Sequence, residues 1–163
     1  MSENDQIVIE RIFNAPTGLI WQMWTQPIHF QNWYGPQGVK IPVAEMDVRV
    51  GGKRLVCMEM QTPKGVMKMW TTGEYVEIVP NKRLVYTESM SDENGNVMSA
   101  SDMGMPEDFP TTTQVIVELE DLGNRTKMKM THAGMPASQG AGGGWEQAFT
   151  KMETYIQTVD SNK

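Results

Sequence analysis

Between Val39 and His132 the chain runs in short segments that alternate apolar and polar residues, and most links between them are too short to carry a crossover connection. Gly51-Gly52 separates a run ending near Arg49 from one spanning Lys53 to Gln61. Thr62-Pro63-Lys64-Gly65 leads into Val66 to Val79, and Pro80-Asn81 leads into Leu84 to Met90. Leu122-Gly123-Asn124 joins Thr111–Glu120 to Arg125–His132. Turns of two to four residues reverse the chain and leave no room for a helix, so the strands they join must pair antiparallel. Ser91 to Pro110 is the exception, a polar stretch with Gly95, Gly104, Pro106 and Pro110, which forms either an extended hairpin tip or a mobile flap.

The two ends have a different period. Gln6 to Asn14 alternates as a strand and is broken by Ala15-Pro16. Leu19, Ile20, Met23 and Trp24 then recur at helical spacing, and Pro27 opens a second short helix through Phe30 and Trp33 that stops at Tyr34-Gly35-Pro36. At the other end Trp145, Ala148, Phe149, Met152, Ile156 and Val159 lie on one helical stripe, with Glu146, Lys151, Glu153 and Gln157 off it. The expectation is one α+β domain over residues 1–163, with a core of about 6–159, in which a curved antiparallel sheet wraps a long C-terminal helix and two short helices follow the first strand.

The chain carries 14 Lys and Arg against 20 Asp and Glu, a net charge of −6, with no basic cluster to neutralise a row of phosphates. Nucleic acid and anionic membranes are therefore not expected partners. The single cysteine, Cys57, offers no intrachain disulfide, and Met1 to Gln6 lacks the pattern of a secretory leader, so the expected location is cytoplasmic. The 15 methionines are a departure from ordinary composition, either replacing Leu in a core or lining a surface that adapts to more than one shape.

In a strand, residues two apart share a face. Val56, Met58 and Met60 share one, as do Met67 and Met69, then Val115, Val117 and Leu119, then Met128, Met130 and His132. Phe13-Asn14-Ala15-Pro16, Ile20-Trp21-Gln22-Met23-Trp24-Thr25-Gln26-Pro27, Trp33-Tyr34-Gly35-Pro36, Asp47-Val48-Arg49-Val50-Gly51-Gly52, Glu77 through Tyr86, and Gly144-Trp145 follow in an order that resembles the heat-shock protein 90 ATPase activator homologue family of the START-like (SRPBCC) superfamily. The resemblance implies a helix-grip fold with a cavity between sheet and C-terminal helix, open to a small apolar or amphipathic ligand. Its walls would be Trp33, Met58, Met60, Met69, Tyr86, Val117, Met130, Trp145 and Phe149, with His132 as a polar contact. The family name adds a chaperone as a partner. The family pattern begins at about Gln6, so the second, N-terminal domain of the eukaryotic activator is not expected.

Other chemistry has thinner support. Glu88 shares a strand face with Tyr86, and a carboxylate in an apolar cavity could act as general acid or base, as could His132; a cyclase or hydratase using the same cavity is the enzymatic alternative. The plainer readings are a solvated Glu88 and a His132 bonded to loop backbone. Glu45, Asp47 and Arg49 read as a solvated row, and Trp21 and Trp24 as packing aromatics. His29, Cys57 and His132 have no metal-ligand spacing; Asp92, Asn94 and Asn96 miss the calcium-loop pattern; and Gly142-Gly143-Gly144 lacks the Lys of a phosphate loop. No catalytic residue, metal or cofactor is implied, and the expected state is a monomer or homodimer.

Overall fold

The computed structural model describes residues 6–99, 101–103, 112–134 and 141–161. Seven strands form one antiparallel sheet: β1 (Gln6–Phe13), β2 (Lys40–Met46), β3 (Lys53–Thr62), β4 (Gly65–Val79), β5 (Arg83–Ser91), β6 (Thr112–Asp121) and β7 (Thr126–Ala133), in the order β1-β7-β6-β5-β4-β3-β2. Each strand from β2 to β6 neighbours its sequence successor, as the short turns require for all but the longer β5–β6 link, and β1 closes beside β7 with Ile9 opposite Met130 and Ile7 opposite His132. Helices α1 (Thr17–Thr25) and α2 (Pro27–Phe30) follow β1, and α3 (Ala141–Ser161) ends the chain.

Alternation turns one face of β1, β6 and β7 into the core that α3 closes. Ile7, Ile9 and Phe13 of β1, Val115 and Val117 of β6, and Met128 and Met130 of β7 are buried there, against Trp145, Ala148, Phe149, Met152 and Ile156 of the helix. Arg11 ties the two layers at the rim. Its guanidinium reaches Glu146 at 3.0 Å and Glu153 at 3.4 Å. Pro16 remains extended as the residue before α1, its carbonyl accepting from Leu19 and Ile20, whereas Pro27 occupies the first turn of α2.

Two differences from the sequence reading have local causes. The strand expected to end near Arg49 stops at Met46, because Asp47 to Gly52 folds on itself: Arg49 N–H donates to the Asp47 carbonyl and Gly52 N–H to that of Arg49. Gly51, at φ 85, then donates its N–H to Tyr75 on β4. The second short helix ends at Phe30, and the approach to Tyr34 continues as turns.

Farther along, β4 bends where Gly73 meets β5. A Cβ at Gly73 would run into the Thr87 carbonyl oxygen, and the register shifts between Tyr75 and Glu77. Of the segment Ser91 to Pro110, the described part leaves β5 through a bridge between Ser91 and Val97, while 104–111 lies outside the described residues.

Candidate functional site

The space between sheet and helix divides into three zones. Nearest α3 it is filled by aromatic rings. Trp24 meets Trp33 at 4.8 Å between centroids, Phe30 stacks on Tyr34 at 4.3 Å, and Trp145 meets both Tyr34 and Phe149 at 5.6 Å. The polar edges of these rings are satisfied within the layer. Trp33 Nε1 donates to the Met23 carbonyl at 2.9 Å and Trp24 Nε1 to Met128 Sδ at 3.3 Å. Trp33, Val117, Met130, Trp145 and Phe149, all proposed as cavity walls, lie buried in this zone.

The second zone is a buried polar cluster on β3, β5, β6 and β7. Trp145 Nε1 donates to His132 Nδ1 at 3.1 Å. An indole nitrogen can only donate, so Nδ1 is the unprotonated nitrogen and the ring proton sits on Nε2, 2.8 Å from Thr113 Oγ1, which accepts it. Thr113 in turn donates to the Glu88 carbonyl at 3.4 Å. His132 is thus bonded to two side chains and not to loop backbone. Burial lowers its pKa, with Glu88 pulling weakly the other way, so the imidazole is neutral at physiological pH. With its lone pair already engaged by Trp145, it makes a poor general base.

Glu88 is not the solvated strand-end carboxylate of the plainer reading. Its side chain is 15% exposed, with Oε1 4.0 Å from His132 Nε2. The Tyr34 hydroxyl donates to its Oε2 at 2.9 Å, and burial followed by the neighbouring Glu88 raises the pKa of that phenol. Tyr34 is held in place from the helix side, where Lys151 Nζ donates to the carbonyls of Tyr34 and Pro36 at 3.2 and 3.0 Å.

Arg54 completes the cluster. It stands on β3 opposite Gly73 of β4 and Met46 of β2, with 4% of its surface exposed. Its guanidinium carbon lies 3.6 Å from the Tyr86 ring centre, with Phe30 and Tyr75 at 5.4 and 5.9 Å. A cation over aromatic faces is attracted by their quadrupoles, more strongly where water is excluded. Arg54 Nε and the Tyr75 and Tyr86 hydroxyls, all buried, make no hydrogen bond within 3.5 Å; burial raises the pKa of both phenols, and the nearby guanidinium, in looser approach to their hydroxyls, offsets part of that rise. Among the described residues no carboxylate lies within 4.0 Å of the guanidinium. Sequence reasoning passed over Arg54, Tyr34 and Tyr75. The signal for Arg54 was present: it is two residues before Val56, on the face assigned to the interior.

The third zone is the far end of the β3–β4 hairpin. Met58 pairs with Met69 and Met60 with Met67 on the concave face, all four half-buried or exposed. Met58 borders the Tyr34-Gly35-Pro36 loop, 3.5 Å from where a Cβ on Gly35 would stand. The other face of the sheet carries an open groove of about 740 Å³, lined by Lys53, Leu55, Thr72, Glu74 and Thr87 and bordered also by Gly73 and by Arg54 of the buried cluster. Asp92, at its edge, turns its carboxylate onto the backbone N–H groups of Asn94 and Asn96, which makes the segment a polar turn. Among the described residues no group of three or more His, Cys, Asp or Glu could hold a metal ion, and no helix is long and apolar enough to cross a membrane.

A seven-stranded antiparallel sheet gripping a C-terminal helix, with two short helices after the first strand, is the helix-grip fold of the START-like superfamily. A solved structure from Nitrosomonas europaea aligns over 99% of both chains at 20% identity with a TM-score of 0.75. One from Arthrobacter aurescens covers 96% of this chain and 88% of its own at 22% identity, TM-score 0.77. The AHSA1 protein of Silicibacter pomeroyi covers 94% and 99% at 16% identity, TM-score 0.73. These likenesses carry the fold alone. The family model described as activator of Hsp90 ATPase homolog 1-like protein matches residues 14–157, and the chain belongs to that family. No curated protein matches it.

Proposed function

We propose that the chain is a non-enzymatic binding domain for a small amphipathic molecule, held on the concave face between the β3–β4 hairpin and the Tyr34-Gly35-Pro36 loop. The observation that carries this reading is that one face of β3 and β4 carries both unpartnered polar groups and partly exposed apolar ones: Arg54 and Tyr75, with Tyr86 of β5, lie deep, and beyond Val56 come Met58 at the core's edge and then Met60, Met67 and Met69. Methionine is unbranched and polarizable, so a wall built from it can fit a tail without a fixed shape. Tyr86, Met58, Met60 and Met69 contact the ligand directly in this reading. Trp33, Val117, Met130, Trp145 and Phe149 form the packed backing behind it, and His132 orients Trp145 and Thr113.

The test is uptake of an environment-sensitive apolar dye by the folded protein, together with native mass spectrometry of freshly purified material. Saturable dye binding that Met58→Trp or Met60→Trp blocks, without loss of fold, supports the reading. No dye bound by the wild type and no co-purified small molecule refutes it. Membership of the activator family favours a second reading, a module that docks on a chaperone. Stimulation of a cognate chaperone's ATPase by the purified domain, undiminished by the same tryptophan substitutions, would favour that reading instead.

A further inference from the structure

We infer that the polar end of the ligand is a single carboxylate, received by Arg54 and the hydroxyls of Tyr75 and Tyr86; this rests on the binding-domain reading above. Three donor groups are sunk into one part of the fold. Arg54 Nε and both hydroxyls are buried and without a hydrogen-bond partner, and the two tyrosine rings stand 6.0 Å apart with the guanidinium over one of them. Buried donors are nearly always bonded, and three orphans clustered around one cation define a place for an acceptor. A guanidinium is always charged, and its planar fork matches a carboxylate.

The surroundings limit the charge of that acceptor. Arg54 senses Glu88 electrostatically without pairing to it, and the Tyr34 hydroxyl already serves one Glu88 oxygen. Arg54 feels the charge of Glu88 and Tyr75 that of Asp47, so the second charge of a dianion such as a phosphate monoester adds repulsion from both, whereas a carboxylate meets the guanidinium fork with a single charge.

The experiment compares decanoate, 1-decanol and decyl phosphate, which share a tail, by isothermal titration at pH 8 with the full chain. A charge-assisted hydrogen bond contributes about 1.5–3 kcal/mol, so decanoate is expected to bind about 10- to 100-fold more tightly than decanol, and more tightly than decyl phosphate. Arg54→Met should erase that preference while leaving decanol binding in place. Because losing Arg54 could unfold the chain, Tyr75→Phe and Tyr86→Phe serve as the second arm. Each keeps its ring, and each should weaken decanoate by about three- to tenfold without touching decanol. Glu88→Gln should move the other way and strengthen decanoate.

Equal affinity for decanoate and decanol overturns the carboxylate assignment and leaves the binding domain standing. Tighter binding of decyl phosphate overturns it likewise, as does a decanoate preference that both tyrosine variants retain. Failure of all three probes and of the apolar dye removes the binding-domain reading as well.

Discussion

Three tyrosines share the buried cluster, and removal of a single oxygen atom should move stability in opposite directions among them. The Tyr86 hydroxyl is buried without a partner, and an unsatisfied buried polar group costs about 1–3 kcal/mol. Tyr86→Phe deletes that group and keeps the ring on which Arg54 stacks at 3.6 Å, so the cation–π contact survives. The variant should therefore be more stable by about 1 kcal/mol, which raises the melting temperature of a domain this size by roughly 2–4 °C. The Tyr34 hydroxyl donates to Glu88 Oε2 at 2.9 Å from a residue that is also buried. Tyr34→Phe removes a bond to a charged acceptor and should destabilise by about 1.5–3 kcal/mol. Urea unfolding at pH 7.5, followed by tryptophan fluorescence, gives both values from one protocol, and an unchanged m-value shows that the unfolded state is the same. If Tyr86→Phe destabilised the protein by about 1 kcal/mol or more, its hydroxyl would have a partner, and the argument for an acceptor site at Arg54 would lose its main support.

Gly73→Ala should destabilise by about 3 kcal/mol or more, since a Cβ there meets the Thr87 backbone and not a side chain that can rotate away; a drop of under 1 kcal/mol in urea unfolding would show that β4 can straighten. The folded-state pKa of His132 lies below its unfolded value of about 6.5, so its contribution is fully present above that pH and is lost as pH falls toward the folded value, where only the unfolded chain takes up the proton. His132→Gln should flatten the stability profile between pH 7 and 5 relative to wild type, and an unaltered slope would mean other groups carry the acid sensitivity. Met130→Ala, fully buried, should cost about 2–5 kcal/mol, while Met60→Ala, half-exposed on the hairpin, should cost about 1 kcal/mol; equal losses would mean that the hairpin methionines are ordinary core.

The architecture was legible because it depends on local rules. Short Gly- and Pro-bearing turns dictate antiparallel neighbours, and the stripe from Trp145 to Ile156 has one period and one partner. Even the strand ends missed by the sequence reading fail for a local reason: Asp47 to Arg49 alternates like a strand, yet Gly51 at positive φ lets the backbone turn back and bond to itself. The methionines mark where periodicity stops short. Met58 and Met130 look alike on their strands, but one lies under α3 and the other near the free end of a hairpin. That difference is set by how far β3 and β4 run past the helix, which no periodicity records.

The polar cluster escaped for a deeper reason, which also bears on its role. Pattern reading assigns interior faces from apolar residues, so it begins the inner face of β3 at Val56 and halts before the charge two positions earlier. A packing argument alone would never put an arginine at position 54. An apolar side chain there would avoid both the desolvation of a guanidinium and the orphaned Nε, and replacing buried ionic groups by apolar ones of similar volume is often neutral or stabilising. The same holds for Tyr75 and Tyr86, where Phe would fill the same space. The fold thus carries three polar groups whose hydrogen-bonding capacity the packing does not use, in one place, on the sheet face that also carries the hairpin methionines Met60, Met67 and Met69. Under the proposed binding reading, the acceptor these groups lack within the core is the head of the ligand.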